Sequence, residues 1–158
     1  MNRYKAHLCV IPEDDANRDI ANGFKAALND PPQLYIPPEG VGGWRHTLPR
    51  FANDYESSLR RYLYRHVVIL IDCDEDVGRL EWLRGQIPDD LHARVFVLGA
   101  FDEPEDLTRA GLGSYEHIGR RLAADCINGT MAVWSHDQLR HNGEEAQRLR
   151  TALPGLFA

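Results

Sequence analysis

Lysine is nearly missing from this sequence: only Lys5 and Lys25 are present, and the other sixteen Lys/Arg positions are arginine. Arginine forks onto phosphates and carboxylates but does not serve as a neutral catalytic amine, so chemistry that needs a lysine beyond residue 25 is excluded. Cysteine is also scarce. Cys9, Cys73 and Cys126 are odd in number, far apart and outside any C-x-x-C pair, which argues against a disulfide framework or zinc knuckle and fits a reducing cytoplasm. The longest apolar run is Val67-Val68-Ile69-Leu70-Ile71, far short of the roughly 20 residues of a membrane-spanning helix. No apolar stretch of signal-peptide length follows Met1, so the expected location is cytoplasmic. Positive charge is in deficit, with 24 acidic residues against 18 Lys and Arg and a formal net charge of −6. Such a chain does not bind nucleic acid by bulk electrostatics. A polyanion must be met by a local arginine patch, a bridging divalent metal or another subunit.

What is present is a chain of 158 residues, 43% hydrophobic and 27% charged, the length and balance of one compact domain spanning 1–158. Strand and helix signals alternate along it. His7 to Ile11, stopped by Pro12, reads as a buried strand, and Asp14 to Leu28 as an amphipathic helix. Leu34-Tyr35-Ile36 is a second short strand fenced by prolines, followed by a Gly40-Val41-Gly42-Gly43 loop. Asn53, with Glu56 in capping-box register, marks a helix start. Val67 to Ile71 is the clearest strand, continuously apolar as in a parallel sheet covered on both faces. A helix over about Asp76–Gln86 precedes a fourth strand, Arg94–Leu98. Two more helices are expected over Tyr115–Cys126, after Ser114, and Gly143–Leu153, after Asn142 with Glu145 in capping-box register. The order predicts a three-layer, Rossmann-like α/β fold around a central, mostly parallel four-stranded sheet, with a helical C-terminal segment.

In such sheets ligands gather at the carboxyl ends of strands, and here two strands end in acids. The first runs into Pro12-Glu13-Asp14-Asp15 and the third into Asp72-Cys73-Asp74-Glu75-Asp76. Alternation places Asp72 and Asp74 on one side. If strands one and three are neighbours, Glu13, Asp72 and Asp74 converge, and a hard divalent cation resolves their repulsion. Asp14, Asp15 and Asp76 also suit helix-capping roles.

This arrangement resembles the Toprim domain of topoisomerases, primases, small Toprim-like nucleases and overcoming-lysogenization-defect nucleases. The match covers roughly residues 6–100, leaving about 101–158 as a C-terminal extension. The family has a catalytic Glu after its first strand, a glycine-containing loop after its second and D-x-D after its third, positions held here by Glu13, Gly40–Gly43 and Asp72 with Asp74. No glycine follows Glu13, a departure from the family pattern. The resemblance implies Mg²⁺- or Mn²⁺-dependent phosphodiester hydrolysis, with Glu13, Asp72 and Asp74 catalytic and Asp76 and Glu105 as further metal ligands. It also implies a nucleic-acid substrate, DNA before RNA, and a larger ATPase or DNA-binding partner, a pairing found in phage defence. Arg45, just after the glycine loop, and Gly42 within it are the expected substrate contacts.

Rival readings fare worse. A response-regulator receiver and a haloacid-dehalogenase-type phosphatase both need a late lysine, which is absent. Cys73 is expected in the core, and Trp134, His136 and His141 as packing and rim residues. Arg61 and Arg65 share one face at helical spacing. The alternative to an enzyme is a non-catalytic metal-binding or protein-interaction module that keeps the same fold.

Overall fold

A computed structural model describes residues 1–158. Four strands form one sheet in the order β2-β1-β3-β4, all parallel: β1 (His7–Pro12), β2 (Leu34–Tyr35), β3 (Arg65–Asp72) and β4 (Val95–Ala100). The register pairs Ile11 with Ile69 and Ile69 with Val97. Parallel neighbours need long crossovers, and the helices supply them. α1 (Asp15–Ala27) links β1 to β2. α2 (Trp44–Asp54) and α3 (Glu56–Arg61) link β2 to β3, and α4 (Gly78–Gln86) links β3 to β4. α5 (Pro104–Arg109), α6 (Tyr115–Asn128) and α7 (Gly143–Ala152) follow the sheet.

Strand alternation divides the core into two layers. Leu8, Val10, Val68, Phe96 and Leu98 face Ala21, Ile118, Leu122 and Leu149 on the side of α1, α6 and α7. Cys9, Ile11, Val67, Ile69 and Val97 face Phe51, Leu59, Leu80 and Leu83 of α2, α3 and α4. The three-layer α/β expectation thus describes the molecule. Cys73 is fully buried, and all three cysteines are free. No helix is long and apolar enough to cross a membrane. α1 and α6 touch backbone to backbone: a Cβ on Gly23 would lie 1.9 Å from the Glu116 carbonyl oxygen, and one on Gly119 at 1.9 Å from that of Ile20.

Several boundaries differ from the sequence expectation. The helix expected to start at Asn53 starts at Trp44, tolerates Pro49 inside it, and breaks at Tyr55 before the short α3. Pro49, the sixth residue of α2, forgoes the backbone hydrogen bond to Arg45 O that another residue would make there. Arg65 leaves the helix altogether and opens β3, so it does not share a helical face with Arg61. α5 has no counterpart in the sequence expectation; proline at its first position is the usual signature of a helix start.

Glu145 does not cap α7. β4 is an edge strand, and alternate residues turn their backbone groups to its open side. There Glu145 Oε2 accepts from Val97 N–H at 2.9 Å, and Asn142 exchanges two bonds with Gly99 (Oδ1 from N–H, 3.1 Å; Nδ2 to the carbonyl, 2.8 Å). His141 Nε2 adds a bond to the Gly99 carbonyl, Arg84 donates to Val97 O and Arg148 to Val95 O. Residue 138 completes the row through its carbonyl to Phe101 N–H and the Gln138 Oε1 atom to Asp102 N–H. A line of side chains therefore does for β4 what a fifth strand would do, and closes an edge otherwise open to other chains.

Candidate functional site

The chain runs from β1 outward to β2, then returns past β1 to form β3. The strand order reverses between β1 and β3, and ligands of open α/β sheets bind at the carboxyl side of such a switch point. Glu13 and Asp72 stand there. The ladder continues one residue beyond β1, as Glu13 N–H donates to Leu70 O at 2.8 Å, and Glu13 Oε2 accepts from Asp72 N–H at 2.5 Å. The convergence of Glu13 with the end of β3 is therefore present.

Around them the local sequence explains the geometry. Asp14 caps α1, its Oδ1 accepting from both the backbone and side-chain nitrogens of Asn17 at 2.9 Å. Asn17 is buried, and its Nδ2 also donates to Asp72 Oδ1 at 2.8 Å. One amide thus bridges two carboxyl groups. The glycine loop folds onto the same spot. Val41 N–H reaches Pro12 O at 2.9 Å, and Gly42 and Gly43 N–H reach Glu13 O at 2.9 and 3.2 Å. Gly40 passes so close that an added Cβ would lie 2.4 Å from Asp14 Cα. Gly42, at φ +86°, has open space in front of it.

Electrostatics mark the pocket. Burial pushes the Asp72 carboxyl up to about 8, against the Asn17 hydrogen bond, and the Asp14 and Glu13 charges push the same way. Glu13 is raised above the usual carboxylate range by burial, with Asp14 and Asp74 adding to it and Asp72 N–H and Arg79 opposing. Tyr115, at the start of α6, is raised by burial and then by Glu105, with Asp14 and Asp72 also contributing. Glu105 of α5 acts on Tyr115, and its Oε2 is buried with no hydrogen-bond partner. Negative charge is gathered here without enough cation to balance it.

Asp72 and Asp74 do not lie on one side. β3 ends at Asp72, and Asp74 and Glu75 adopt left-handed backbone (φ 46° and 66°), which breaks the alternation. Asp72 turns to Asn17 of α1, whereas Asp74 is exposed and pairs with Arg79 of α4 at 2.7 Å. Arg79 also donates to Asp72 O at 3.1 Å. Asp76 is exposed and accepts from Gly78 N–H at 2.9 Å, a turn cap. Arg45 is exposed; its guanidinium lies 5.5 Å from the Trp44 ring, whose other neighbours are the Arg79 guanidinium at 4.8 Å and Trp82 edge-on at 5.7 Å. Arg45 therefore connects to the acidic pocket through Trp44 and Arg79.

Hard carboxylate oxygens are the right donors for Mg²⁺ or Mn²⁺, and the unpartnered Glu105 Oε2 is the kind of atom a cation would satisfy. As they are placed, no three His, Cys, Asp or Glu side chains come together in a group that could hold a metal ion. Glu13 is held by Asp72 N–H, and Asp74 by Arg79. The donor chemistry suits a hard cation, but the side chains as placed do not form its ligand shell. Sequence reasoning missed Asn17, Arg79 and Tyr115. Asn17, three residues after the capping Asp14, carried the one readable signal, an amide in the first turn after the capped start.

No protein-family model matches this chain, and no curated protein or solved structure matches it either. The fold and site together define a parallel α/β protein with an under-compensated carboxylate pocket at its switch point.

Proposed function

We propose that this chain is a divalent-metal-dependent phosphodiesterase acting on nucleic acid, a nuclease of the Toprim-like kind. The observation that supports this most is the meeting of Glu13 and Asp72, from separate strands, at the switch point, where burial raises both above their ordinary acidity range and the Asp14 charge adds to each. Glu13, Asp72 and Asp14 would hold Mg²⁺ or Mn²⁺, with Glu105 satisfying the remaining side. A cation bound there supplies charge stabilisation to the non-bridging and leaving oxygens of a phosphodiester. Asn17 fixes the Asp72 carboxyl, and Glu13, raised above its ordinary range by its surroundings, is suited to hold or release a proton at Oε1 or Oε2. Arg79 anchors the Asp72–Asp74 turn, and Arg45 and the open face of Gly42 receive the substrate backbone. In the setting the Toprim resemblance implies, a larger ATPase or DNA-binding partner in phage defence brings the DNA.

The test is cleavage of plasmid and single-stranded substrates with Mg²⁺, Mn²⁺ or EDTA by the wild type, Glu13→Gln and Asp72→Asn. Loss of at least about a hundredfold in rate is expected for each substitution. Cleavage that survives either substitution, or EDTA, overturns the reading. The unclosed ligand shell favours one second reading, a metal-dependent interaction module. Saturable Mn²⁺ binding with no turnover, even beside a partner protein, would establish it instead.

A further inference from the structure

Away from the carboxylate pocket, at the amino-terminal ends of the same strands, the charge is reversed. Half of the arginines in this acidic chain are paired to carboxylates, but Arg3, Arg61, Arg65 and Arg94 make no ion pair and gather around one residue, and Lys5, also unpaired, follows two positions after Arg3. The guanidiniums of Arg3, Arg65 and Arg61 lie 4.8, 5.1 and 5.4 Å from the centre of the Tyr62 ring. Arg3 also donates to the Tyr62 hydroxyl at 2.7 Å, and Arg94 to the carbonyls of Tyr62 and Arg65 at 3.1 Å. Three guanidiniums on one ring repel one another. Glu56 and Asp90 are both paired with Arg60.

The ground beneath this cluster is rigid. Arg65 Nε donates to His7 Nε2 at 3.1 Å, and the other ring nitrogen of the fully buried His7 bonds Lys5 O at 2.8 Å. His7 is held below its ordinary value by burial, against its hydrogen bond to Lys5 O, with Arg65, the terminal amine and Arg3 adding to the shift. Around the cations stand large exposed side chains: Tyr4 (86% exposed), Leu63 (71%) and Tyr64 (53%). Unpaired arginines beside exposed aromatic faces are what single-stranded nucleic acid needs, phosphates on the cations and bases on the rings. An acidic peptide would use the charge and leave Tyr4 and Tyr64 without a purpose.

We propose that the surface formed by Arg3, Lys5, Arg61 and Tyr62, with Tyr4 and Tyr64, binds single-stranded nucleic acid. It lies a strand length, about 20 Å, from the carboxylates, and it holds its ligand whether or not those carboxylates cleave anything. An acidic molecule thereby grips a polyanion at one end while presenting acids at the other.

The probe is fluorescein-labelled oligothymidylate of about thirty nucleotides, followed by anisotropy in EDTA from about 50 to 200 mM salt. EDTA removes hydrolysis from the experiment, so the binding result and the cleavage result are separate. The Arg3→Gln/Lys5→Gln/Arg61→Gln protein, in which all three positions are exposed, is expected to bind at least about tenfold more weakly. Its log–log salt slope should fall by about 2, at about 0.7 for each phosphate no longer neutralised. Tyr64→Ala should weaken binding about fivefold or more. Melting curves matching the wild type confirm that the variants fold. The proposal is overturned by absence of saturable binding in the wild type, by unchanged affinity in the triple variant, or by an equal loss in Arg120→Gln/Arg121→Gln on α6. Displacement by polyglutamate as effective as by unlabelled oligothymidylate also overturns it, and assigns the surface to acidic proteins.

Discussion

Asp72 carries the largest consequence at the scale of one residue. Its carboxyl is raised from 3.8 to about 8 in the folded chain. Between those values the native state keeps a proton that the unfolded state has released, so stability falls as pH rises from about 4 and levels off above about 8. Asp72→Asn keeps an acceptor for Asn17 and removes that loss. The variant should melt roughly 5 °C above the wild type at pH 8, a gain of about 2 kcal/mol, and the gap should close towards pH 4. Thermal scans across that range check it, and a variant less stable at pH 8 would contradict the assigned environment. Arg45 is a milder case. Exposed and resting on Trp44, it should affect binding more than turnover, so Arg45→Ala is expected to raise KM about tenfold with kcat little changed. The reach of Glu13 to Asp72 is legible in the sequence because hydrophobic strands ending in acids are a local pattern. The parting of Asp72 from Asp74 is not, because it depends on left-handed backbone at two non-glycine residues and on Arg79 waiting on α4.

Among the elements, two junctions decide stability. The α1–α6 crossing depends on absent side chains. Gly119→Ala would put a methyl 1.9 Å from Ile20 O and 2.7 Å from Phe24 N, which should cost about 3 kcal/mol or more, read as a lowered urea midpoint. The α7–β4 junction depends on Glu145, which serves Val97 N–H, Arg84 and Arg148 at once. Glu145→Ala leaves Val97 N–H without an acceptor and takes the buried carboxylate from Arg84 and Arg148, which keep only their backbone carbonyls, and should cost about 3 kcal/mol. By opening the edge of β4, it should also produce larger species on size-exclusion chromatography. The strands are readable from their apolar runs, but the seal is not. Glu145 three residues after Asn142 has capping-box spacing, and only the tertiary position of β4 assigns it elsewhere. His141 reads as a rim residue for the same reason: nothing local announces that it bonds Gly99 O.

Taken whole, the molecule carries a histidine contribution that weakens it in acid before carboxylates of ordinary acidity titrate. His7, His66 and His141 are each held below 6.5, by burial first in every case. A native state that stays neutral while the unfolded state takes up protons loses stability as pH falls through about 6.5. In the Asp72→Asn protein, which lacks the opposing proton of Asp72, calorimetric unfolding in buffers of different ionisation enthalpy should therefore show net proton uptake just below that pH. Its absence would mean that these rings are charged in the native state.

The side-chain seal on β4 also sets an order of events during synthesis. All four strands precede residues 138–148 in the chain, so a polypeptide still growing on the ribosome has its sheet before it has the means to close it. For that interval, seconds at ordinary elongation rates, a nascent sheet offers a bare hydrogen-bonding margin to any neighbour, and factors that shield emerging chains would be needed most then.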